Sequence, residues 1–457
     1  MVKYLNTGRP THHRVSSQSR DTRRRAYNWD VNHQLRSMVN ELTGVKVTYG
    51  YDEFSNLVWA NQDSRQFDFL YRSVDDVGNL YETKDKKDRV YGAGSRLLET
   101  KDAKFSYDEE GNLVEKVEHN GDTWKYEYYG NGMMAKVIKP DNTEVTFKYD
   151  ALGRRIEKCS EGRATHFVWD GNTILHEYFS QDNSVENASQ TDDLDSLVTW
   201  VFNDGFVPSA KITSEGNYSI ISDYLGTPVE AYDEQGHKVW SAELDVYGRV
   251  KEFTGEKDFI PFRYQGQYED LEIGLYYNRF RYYDPEQGNY TQVDPIGLAG
   301  GNPTLYGYVN NPNLYLDIFG LDVTITLIYK DWMPKNEFLR KAQTLQKLGE
   351  EGLLYKVAKV SRDRNVTKAF RQDMIKRIWA QYGNSNRAFA DKLIDRVAHK
   401  MQPDHVWELQ LGGPDSKSNL RFLESKTNWD IGTQQIRPQI RNLEAGTKIK
   451  VNIKCPS

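Results

Sequence analysis

The sequence has 457 residues and a formal net charge of −6, and its two cysteines are too few for a disulfide framework or a zinc ribbon. Only 38% of the residues are hydrophobic, yet 30 are tyrosines, which excludes a disordered chain and favours a large β-sheet wetted on both faces. There is no run of 18 apolar residues and no apolar segment near Met1, so neither a membrane span nor a secretory signal peptide is expected.

The charge is unevenly distributed along the chain. Residues 322–457 contain 25 Lys and Arg against 15 Asp and Glu, a net charge of +10. Residues 1–321 have a net charge of −16. This division indicates two parts with different partners: the basic part is a candidate for binding a polyanion, and the acidic part for containing it.

The chain begins with a basic segment, residues 1–25, which ends in three consecutive arginines. No aromatic residue separates Arg23, Arg24 and Arg25, so the pattern of a nucleic-acid-binding groove is missing. We therefore expect a frayed N-terminal arm.

Residues 26–261 contain a repeated turn signal. A Tyr-Asp pair followed by a glycine three residues later recurs at Tyr107, Tyr149 and Tyr232. With Tyr129 near the midpoint between the first two copies, the period is about 21 residues. Each unit predicts a strand, an Asp-x-x-Gly-Asn turn with positive φ at Gly and Asn, and a second strand. The polar stretch 180–196 predicts a surface loop.

These units resemble the YD repeats of Rhs proteins and of the C components of Tc toxins. The resemblance implies an all-β hollow shell, a cocoon formed by a long antiparallel ribbon that spirals. An ordinary β-solenoid with a surface role is the alternative.

Residues 262–321 resemble the terminus of the Rhs core, because Asp-Pro-Ile-Gly-Leu at 294–298 is followed by Asp-Ile-Phe-Gly-Leu at 317–321. The resemblance implies self-cleavage between Leu321 and Asp322 by an aspartyl-type autoprotease. Asp294 and Asp317 are then the catalytic pair, one acting as base and the other as acid. Ile318 replaces the family's proline, and both aspartates could instead form turns.

Two further residues of this segment, Arg281 and Asp284, are candidates to assist the self-cleavage. After Leu321 the YD pattern stops, and residues 322–457 predict a small α+β domain. The expected elements are a strand at 323–329, helices at 366–381 and after Asn384, a short strand, a loop, a helix from about Ser425 and an edge strand at 447–454.

The tail resembles the ββα-metal site of HNH endonucleases. That motif has a strand with Asp-His, matched by Asp404-His405, a loop with a central Asn, matched by Asn419, and a helix with His or Asn, matched by Asn428. Oxygen ligands from Asp404 and Asn428 suit Mg²⁺, with Mn²⁺ or Zn²⁺ as alternatives. His405 is the expected general base, since imidazole exchanges a proton near neutral pH.

Three residues have expected supporting roles in this site. The resemblance assigns Asn419 to a hydrogen bond that stabilises the loop. Glu408 is expected to form a cap or a salt bridge, and His399 to be a surface helix residue that supports the site at most. The His-x-Glu and Pro-Cys-x-x-Cys signature of a zinc deaminase does not occur in the sequence.

The sequence therefore predicts a bacterial polymorphic toxin. An Rhs shell encloses a metal-dependent DNase that self-cleavage releases, and the two fragments stay associated. The expected partners are DNA, an acidic immunity protein and a secretion tip or adaptor, as in type VI secretion. The toxin would be made in the bacterial cytoplasm, secreted, and active in the target-cell cytoplasm. The alternatives are an RNase on the same scaffold, or a non-enzymatic YD-repeat adhesion protein with a DNA-binding tail.

Overall fold

The computed structural model describes residues 2–5, 9–32, 34–63, 67–181, 196–203, 205–295, 297, 303–320, 323–350, 353–441, 446 and 449–454. The chain divides into two compact units, residues 1–298 with 302–321, and residues 299–301 with 322–457. The predicted cleavage residues Leu321 and Asp322 lie outside the described residues, and so does most of the predicted surface loop, from 182 to 195.

The first unit is an all-β shell in which each strand pairs with its neighbours in sequence. Over the described residues, one sheet has seven strands, β1 to β7, at Val2–Tyr4, Pro10–Ser17, Arg20–Trp29, Leu35–Asn40, Lys46–Tyr51, Leu57–Asp63 and Phe67–Tyr71. A separate pair, β8 and β9, lies at Ser73–Val74 and Leu80–Tyr81.

The second sheet continues the same meander over sixteen strands within the described ranges. These strands, β10 to β25, are Arg89–Tyr91, Leu97–Thr100, Ala103–Tyr107, Leu113–Glu118, Thr123–Tyr128, Met134–Ile138, Glu144–Tyr149, Arg155–Ser160, Arg163–Asp170, Thr173–Gln181, Val198–Asn203, Val207–Thr213, Gly216–Ser222, Pro228–Tyr232, Lys238–Leu244 and Val250–Thr254. A short third sheet, β26 to β29, follows at Tyr268–Asp270, Leu275–Asn278, Arg281–Asp284 and Asn289–Tyr290.

The repeated turns have a common hydrogen-bond pattern, which the Asp108 turn illustrates. The Asp108 N–H donates to the Asn112 carbonyl at 3.0 Å, and the Asn112 N–H donates back to the Asp108 carboxylate at 2.7 Å. Gly111 has a φ of 92°, which an L side chain rarely adopts. The glycine therefore provides the left-handed backbone, while the asparagine closes the turn through its hydrogen bonds to aspartate.

The prediction of a frayed basic arm over residues 1–25 is wrong. The segment forms β1, β2 and the first part of β3, and Arg23 and Arg25 are buried. Both guanidinium groups bind the Glu243 carboxylate of β24, Arg23 at 2.8 Å. Arg23 and Arg25 therefore belong to the interior of the shell, where a carboxylate compensates their charge, whereas Arg24 between them is exposed.

The prediction of a sheet wetted on both faces is also wrong, because one face of the large sheet is a core. On β16, Val145 and Phe147 are fully buried while Glu144 and Lys148 are exposed. The Phe147 ring lies 5.3 Å from the ring of Tyr282 on β28. Tyrosines from residues 262–320, among them Tyr268, Tyr277 and Tyr282, thus complete a core of mixed aliphatic and aromatic side chains.

The second unit is a small α+β domain. Its helices within the described residues, α1 to α5, are Lys335–Glu350, Arg364–Tyr382, Arg387–Asp395, Ser425–Trp429 and Arg437–Ile440. π-helical turns at Arg396–Lys400 and Asp430–Ile436 follow α3 and α4. Its strands, β30 to β33, are Val323–Ile328, Met401–His405, Leu420–Glu424 and Ile449–Lys454. β30 pairs with β33 in parallel, and β31 pairs with β32 antiparallel.

Most elements of this domain match the sequence expectations. Helix α1, in contrast, was not expected. Across the ranges that the structure describes, no helix is long and apolar enough to cross a membrane.

Candidate active sites

The first candidate site, in the shell, brings Asp294 and Asp317 to one buried arginine. Arg281 Nη2 lies 3.0 Å from Asp294 Oδ2 and 3.2 Å from Asp317 Oδ2, and all three side chains are buried. The same guanidinium donates from Nε to the Gly320 carbonyl at 2.5 Å. Arg281 therefore connects both predicted catalytic carboxylates to the backbone directly before Leu321.

Hydrogen bonds from neighbouring side chains fix Asp317. The Tyr290 hydroxyl donates to Asp317 Oδ2 at 2.9 Å, and Asn278 Nδ2 donates to the Asp317 carbonyl at 2.9 Å. Burial raises the pKa of Tyr290 well above its ordinary value, so that hydroxyl remains a neutral donor. At Gly320, with a φ of +66°, an added Cβ would lie 2.7 Å from the Asn278 carbonyl oxygen. Only glycine fits this close approach.

Asp284 lies in a turn. Its carboxylate accepts the N–H groups of Glu286 and Gln287 at 2.9 and 3.2 Å, which makes it a turn former at the end of β28. In the described residues, no hydrogen bond or ion pair connects Asp284 to Asp294 or Asp317. Its assistance in self-cleavage stays a prediction.

The second candidate site lies in the tail, where two strands are followed directly by a helix. β31 ends in Asp404 and His405, and β32 pairs with it from His405 opposite Leu420 to Met401 opposite Glu424. Helix α4 begins at Ser425, immediately after β32. Its first turn is capped by Glu424, whose carboxylate accepts the N–H groups of Lys426 and Thr427.

A buried lysine of α1 joins two of the predicted site residues. Lys341 is 1% exposed, and its Nζ binds the carboxylates of Asp404 and Glu408, the latter at 2.5 Å. Burial raises the pKa of Asp404 to about 6, against the opposing effect of Lys341. Burial alone would lower the pKa of Lys341, but the charges of Asp404 and Glu408 outweigh it and raise that pKa. Two carboxylates thus share one ammonium.

His405 has a separate partner. Its Nε2 lies 2.8 Å from Asp415 Oδ1, and in the part of the chain that the structure describes no hydrogen bond is made by Nδ1. Burial opposes the ionisation of Asp415, but hydrogen bonds from the Asp363 N–H and from His405 lower its pKa overall. An ionised Asp415 therefore orients the imidazole and leaves Nδ1 as the nitrogen that can take a proton.

Asn419 closes the loop between the two strands. Its Oδ1 accepts the Trp407 N–H at 2.9 Å, and its Nδ2 donates to the carbonyls of Trp407 at 2.8 Å and Pro414 at 2.9 Å. The amide uses three hydrogen bonds to hold both ends of the loop 406–418. This is the kind of contact that the sequence resemblance implied.

In the part of the chain that the structure describes, neither Asn428 nor His399 makes a hydrogen bond or an ion pair with another predicted site residue. Asn428 Nδ2 lies 3.5 Å from the Gln402 side chain, which shares a strand face with Asp404, two positions further along β31. His399 is exposed and pairs with Asp395, one helical turn earlier, at 3.0 Å. Over the described residues, no hydrogen bond or ion pair joins Asp404 to either His405 or Asn428.

The carboxylates of Asp404 and Glu408 are of the type that a hard cation binds, but both bind the Lys341 ammonium, which takes the place of a cation between them. Mg²⁺ is usually held by one or two carboxylates and completed by water and substrate phosphate. Within the described ranges, no group of three or more His, Cys, Asp or Glu side chains could hold a metal ion.

Two residues of this site were missed by sequence reasoning. Lys341 stands among Phe338, Ala342 and Leu345, which are all fully buried on α1, so a lysine on an apolar helical face was its only signal. Asp415 follows a Gly-Gly-Pro turn, and nothing in the local pattern distinguishes it from an ordinary turn residue.

Comparisons with known proteins identify the shell. The profile of the teneurin YD-shell family matches residues 2–300. Double-stranded DNA deaminase toxin A of Burkholderia cenocepacia is 31% identical over 326 residues, which cover 65% of this chain and 22% of that protein. Probable deoxyribonuclease RhsA of Dickeya dadantii is 30% identical over 246 residues, which cover 51% and 16%. The tRNA nuclease WapA of Bacillus subtilis is 26% identical over 282 residues, which cover 58% and 11%.

The chain spans less than a quarter of the length of these curated relatives. Among solved structures, a complex of TcdB2 and TccC3 aligns with a TM-score of 0.45 and 16% identity, covering 70% of this chain and 18% of that one. Residues 322–457 lie beyond the part that the family profile matches.

Proposed function

Because the chain belongs to the teneurin YD-shell family, we propose that it is a secreted bacterial toxin of the Rhs type whose tail, residues 322–457, cleaves nucleic acid. One observation carries this proposal: two antiparallel strands, a loop closed by Asn419 and a helix follow one another in the order of the ββα-metal motif, with Asp404 and His405 at the end of the first strand. Relatives named as toxins and as nucleases support the same class of activity.

The proposed reaction is hydrolysis of a phosphodiester. Asp415 holds His405 through Nε2, and Nδ1 takes a proton from the attacking water. The water oxygen bonds to phosphorus while the bond from phosphorus to one sugar oxygen breaks, and that oxygen leaves with a proton from solvent. Mg²⁺ held by Asp404 and Asn428 would supply positive charge to the scissile phosphate. Lys341 keeps Asp404 and Glu408 together as a pair, and Asn419 holds the loop that carries Glu408 in position.

DNA is the proposed substrate, and RNA is the second candidate because WapA is named as a tRNA nuclease. The test incubates the purified full chain with plasmid DNA and with RNA, in Mg²⁺ or in EDTA. Wild type should cleave only with the metal, and His405→Ala should lose about 10²–10⁴-fold in rate, the usual cost of a general base. His399→Ala, an exposed histidine, is the matched control. A chain that binds DNA without cleaving it would instead favour a non-enzymatic adhesion protein.

We further propose that the shell site cleaves the chain between Leu321 and Asp322. One carboxylate of the Asp294 and Asp317 pair takes a proton from water that attacks the Leu321 carbonyl carbon. The other gives a proton to the departing Asp322 nitrogen. Arg281 binds both carboxylates and the Gly320 carbonyl, which supports this assignment.

On a denaturing gel, the wild type should give fragments of 321 and 136 residues that co-elute under native conditions. Asp294→Asn should leave one band, while exposed Asp258→Asn should cleave normally. An uncut wild type would contradict the proposal and would point to Ile318, in place of proline, as the reason.

The remaining parts of the proposal concern partners and location. A bacterium that makes this toxin needs an immunity protein against the tail. Because the tail has a net charge of +10, an acidic immunity protein would associate with it quickly. Delivery would use a secretion tip or adaptor, and the tail would act in the target-cell cytoplasm. A strongly basic neighbouring protein that neutralises the toxin would contradict electrostatic steering.

A further inference from the structure

The tail exposes two tryptophans on neighbouring elements close to the candidate nuclease site. Trp332, in the loop after β30, is 41% exposed, and Trp429, at the end of α4, is 55% exposed. Tryptophan buries more apolar surface than most side chains, so two rings left half in water mark a surface that can bind a partner.

Lys426 joins the loop of Trp332 to the helix that carries Trp429. Its Nζ lies 4.2 Å from the centroid of the Trp332 ring, and it stands three residues before Trp429. Residues three apart lie on the same face of a helix, so Lys426 and Trp429 share one face of α4. Lys426 thus reaches the Trp332 ring from the helix face that also carries Trp429.

A second contact fixes the loop of Trp332 to the same helix. Lys330 Nζ pairs with Asp430 Oδ2 at 2.6 Å, and Asp430 directly follows Trp429. The loop therefore contacts α4 at both ends: Lys330 pairs with Asp430 after the last residue of the helix, and Trp332 lies against Lys426 in its first turn. Asn428, one of the proposed site residues, lies between Lys426 and Trp429 on this helix.

We propose that Trp332, Lys426 and Trp429 form a stacking platform for the unpaired bases of a single strand, so that the nuclease acts on single-stranded or locally opened nucleic acid. Exposed aromatic rings bind bases through their π faces, and an adjacent cation binds the phosphate backbone. The net charge of +10 on the tail fits the same polyanion. This inference rests on the proposed nuclease function and specifies its substrate class.

The test uses the full chain with His405→Ala, so that the probes remain intact. Fluorescence anisotropy measures the binding of a labelled twelve-nucleotide single strand and of a hairpin duplex of the same sequence. The single strand should bind more tightly. Trp429→Ala should weaken its binding about 5- to 150-fold, the range expected for one lost base stack. Trp429→Phe should restore most of the affinity.

The matched control is Trp379→Ala. Trp379 is as exposed as Trp332, at 41%, and it too has a cation nearby, Arg387, whose Cζ lies 6.0 Å from the ring centroid. It lies on α2, however, where its ring covers Gly383. This variant should bind the single strand as the parent does. Equal affinities for strand and duplex, or equal losses in Trp429→Ala and Trp379→Ala, would overturn the platform. If the platform is overturned but the wild type still cleaves plasmid DNA, the nuclease proposal itself remains.

Discussion

At the residue scale, the buried Lys341 is the most informative side chain of the tail. It is the only cation that the structure shows between Asp404 and Glu408 among the described residues, and it is 1% exposed. Removing one partner from a buried ion pair usually costs more than the pair contributes, because the remaining charge stays buried without compensation. The lysine is therefore expected to stabilise the domain as well as to hold the site.

Lys341→Met should lower the free energy of opening in the tail by about 3–5 kcal/mol, since two carboxylates lose their shared ammonium. Hydrogen exchange followed by mass spectrometry on peptides from α1 and β31 measures this opening. Lys335→Met, at the exposed start of the same helix, should change it by no more than about 0.5 kcal/mol. Equal protection in the two variants would show that the pair is not needed for stability.

In the shell, His13 makes stability depend on pH. The side chain is 5% exposed, and burial together with Arg23 and Arg25 lowers its pKa from 6.5 to about 4. Because the folded pKa lies below the unfolded one, protons bind preferentially to the unfolded chain. The shell should keep its full stability above pH 6.5 and lose up to about 3 kcal/mol as the pH falls towards 4.

Urea unfolding of the full chain between pH 4 and pH 7 measures this loss. His13→Leu should flatten the pH dependence in that window, because the titrating group is gone. His12→Leu, whose side chain is exposed on the same strand, should retain the wild-type slope. A slope that His13→Leu leaves unchanged would assign the acid sensitivity to other groups.

At the element scale, the side-chain amide of Asn419 makes three of the hydrogen bonds that hold the loop 406–418. Asn419→Ala removes three hydrogen bonds and leaves the Trp407 N–H without its partner. The expected cost is about 1–3 kcal/mol, with faster hydrogen exchange at Trp407 and a lower cleavage rate, since Glu408 is carried by the loop. Ser418→Ala, which removes only an exposed contact to Ser416, should leave exchange at Trp407 unchanged.

The elements also show how far the sequence predicts the structure. Strands β12 to β17 follow from the YD turns, and β31, β32 and α4 follow from the Asp-His to Asn428 spacing, because both patterns are local. The burial of Arg23 and Arg25 does not follow, because Glu243 is more than 200 residues away. The core face formed with Tyr282 was missed for the same reason.

The sequence likewise predicts only some residues of each candidate site. Asp294, Asp317, Asp404 and His405 are recognisable because they belong to motifs with fixed spacing. Their partners Arg281, Lys341 and Asp415 reach them from other elements, and only the first was suspected. Contacts between distant segments depend on tertiary packing, which local patterns do not encode.

At the scale of the whole molecule, the chain combines two units with opposite charge. The shell unit, with a net charge of −16, contains the self-cleavage candidate, and the tail, at +10, contains the nuclease candidate. Family membership explains the shell, while the activity of the tail depends on its own residues. The central claim is therefore that the tail is a nuclease whose base is His405.

The most direct measurement expresses the full chain in a bacterial cytoplasm without an antidote and follows viability together with chromosomal DNA. Wild type should degrade the DNA and kill the cells, whereas His405→Ala, made at the same level, should be tolerated with intact DNA. His399→Ala should be as toxic as wild type, because that side chain is exposed and its partner among the described residues is Asp395, one helical turn earlier. A fully toxic His405→Ala, or a toxic wild type that leaves both DNA and RNA intact, would contradict the account.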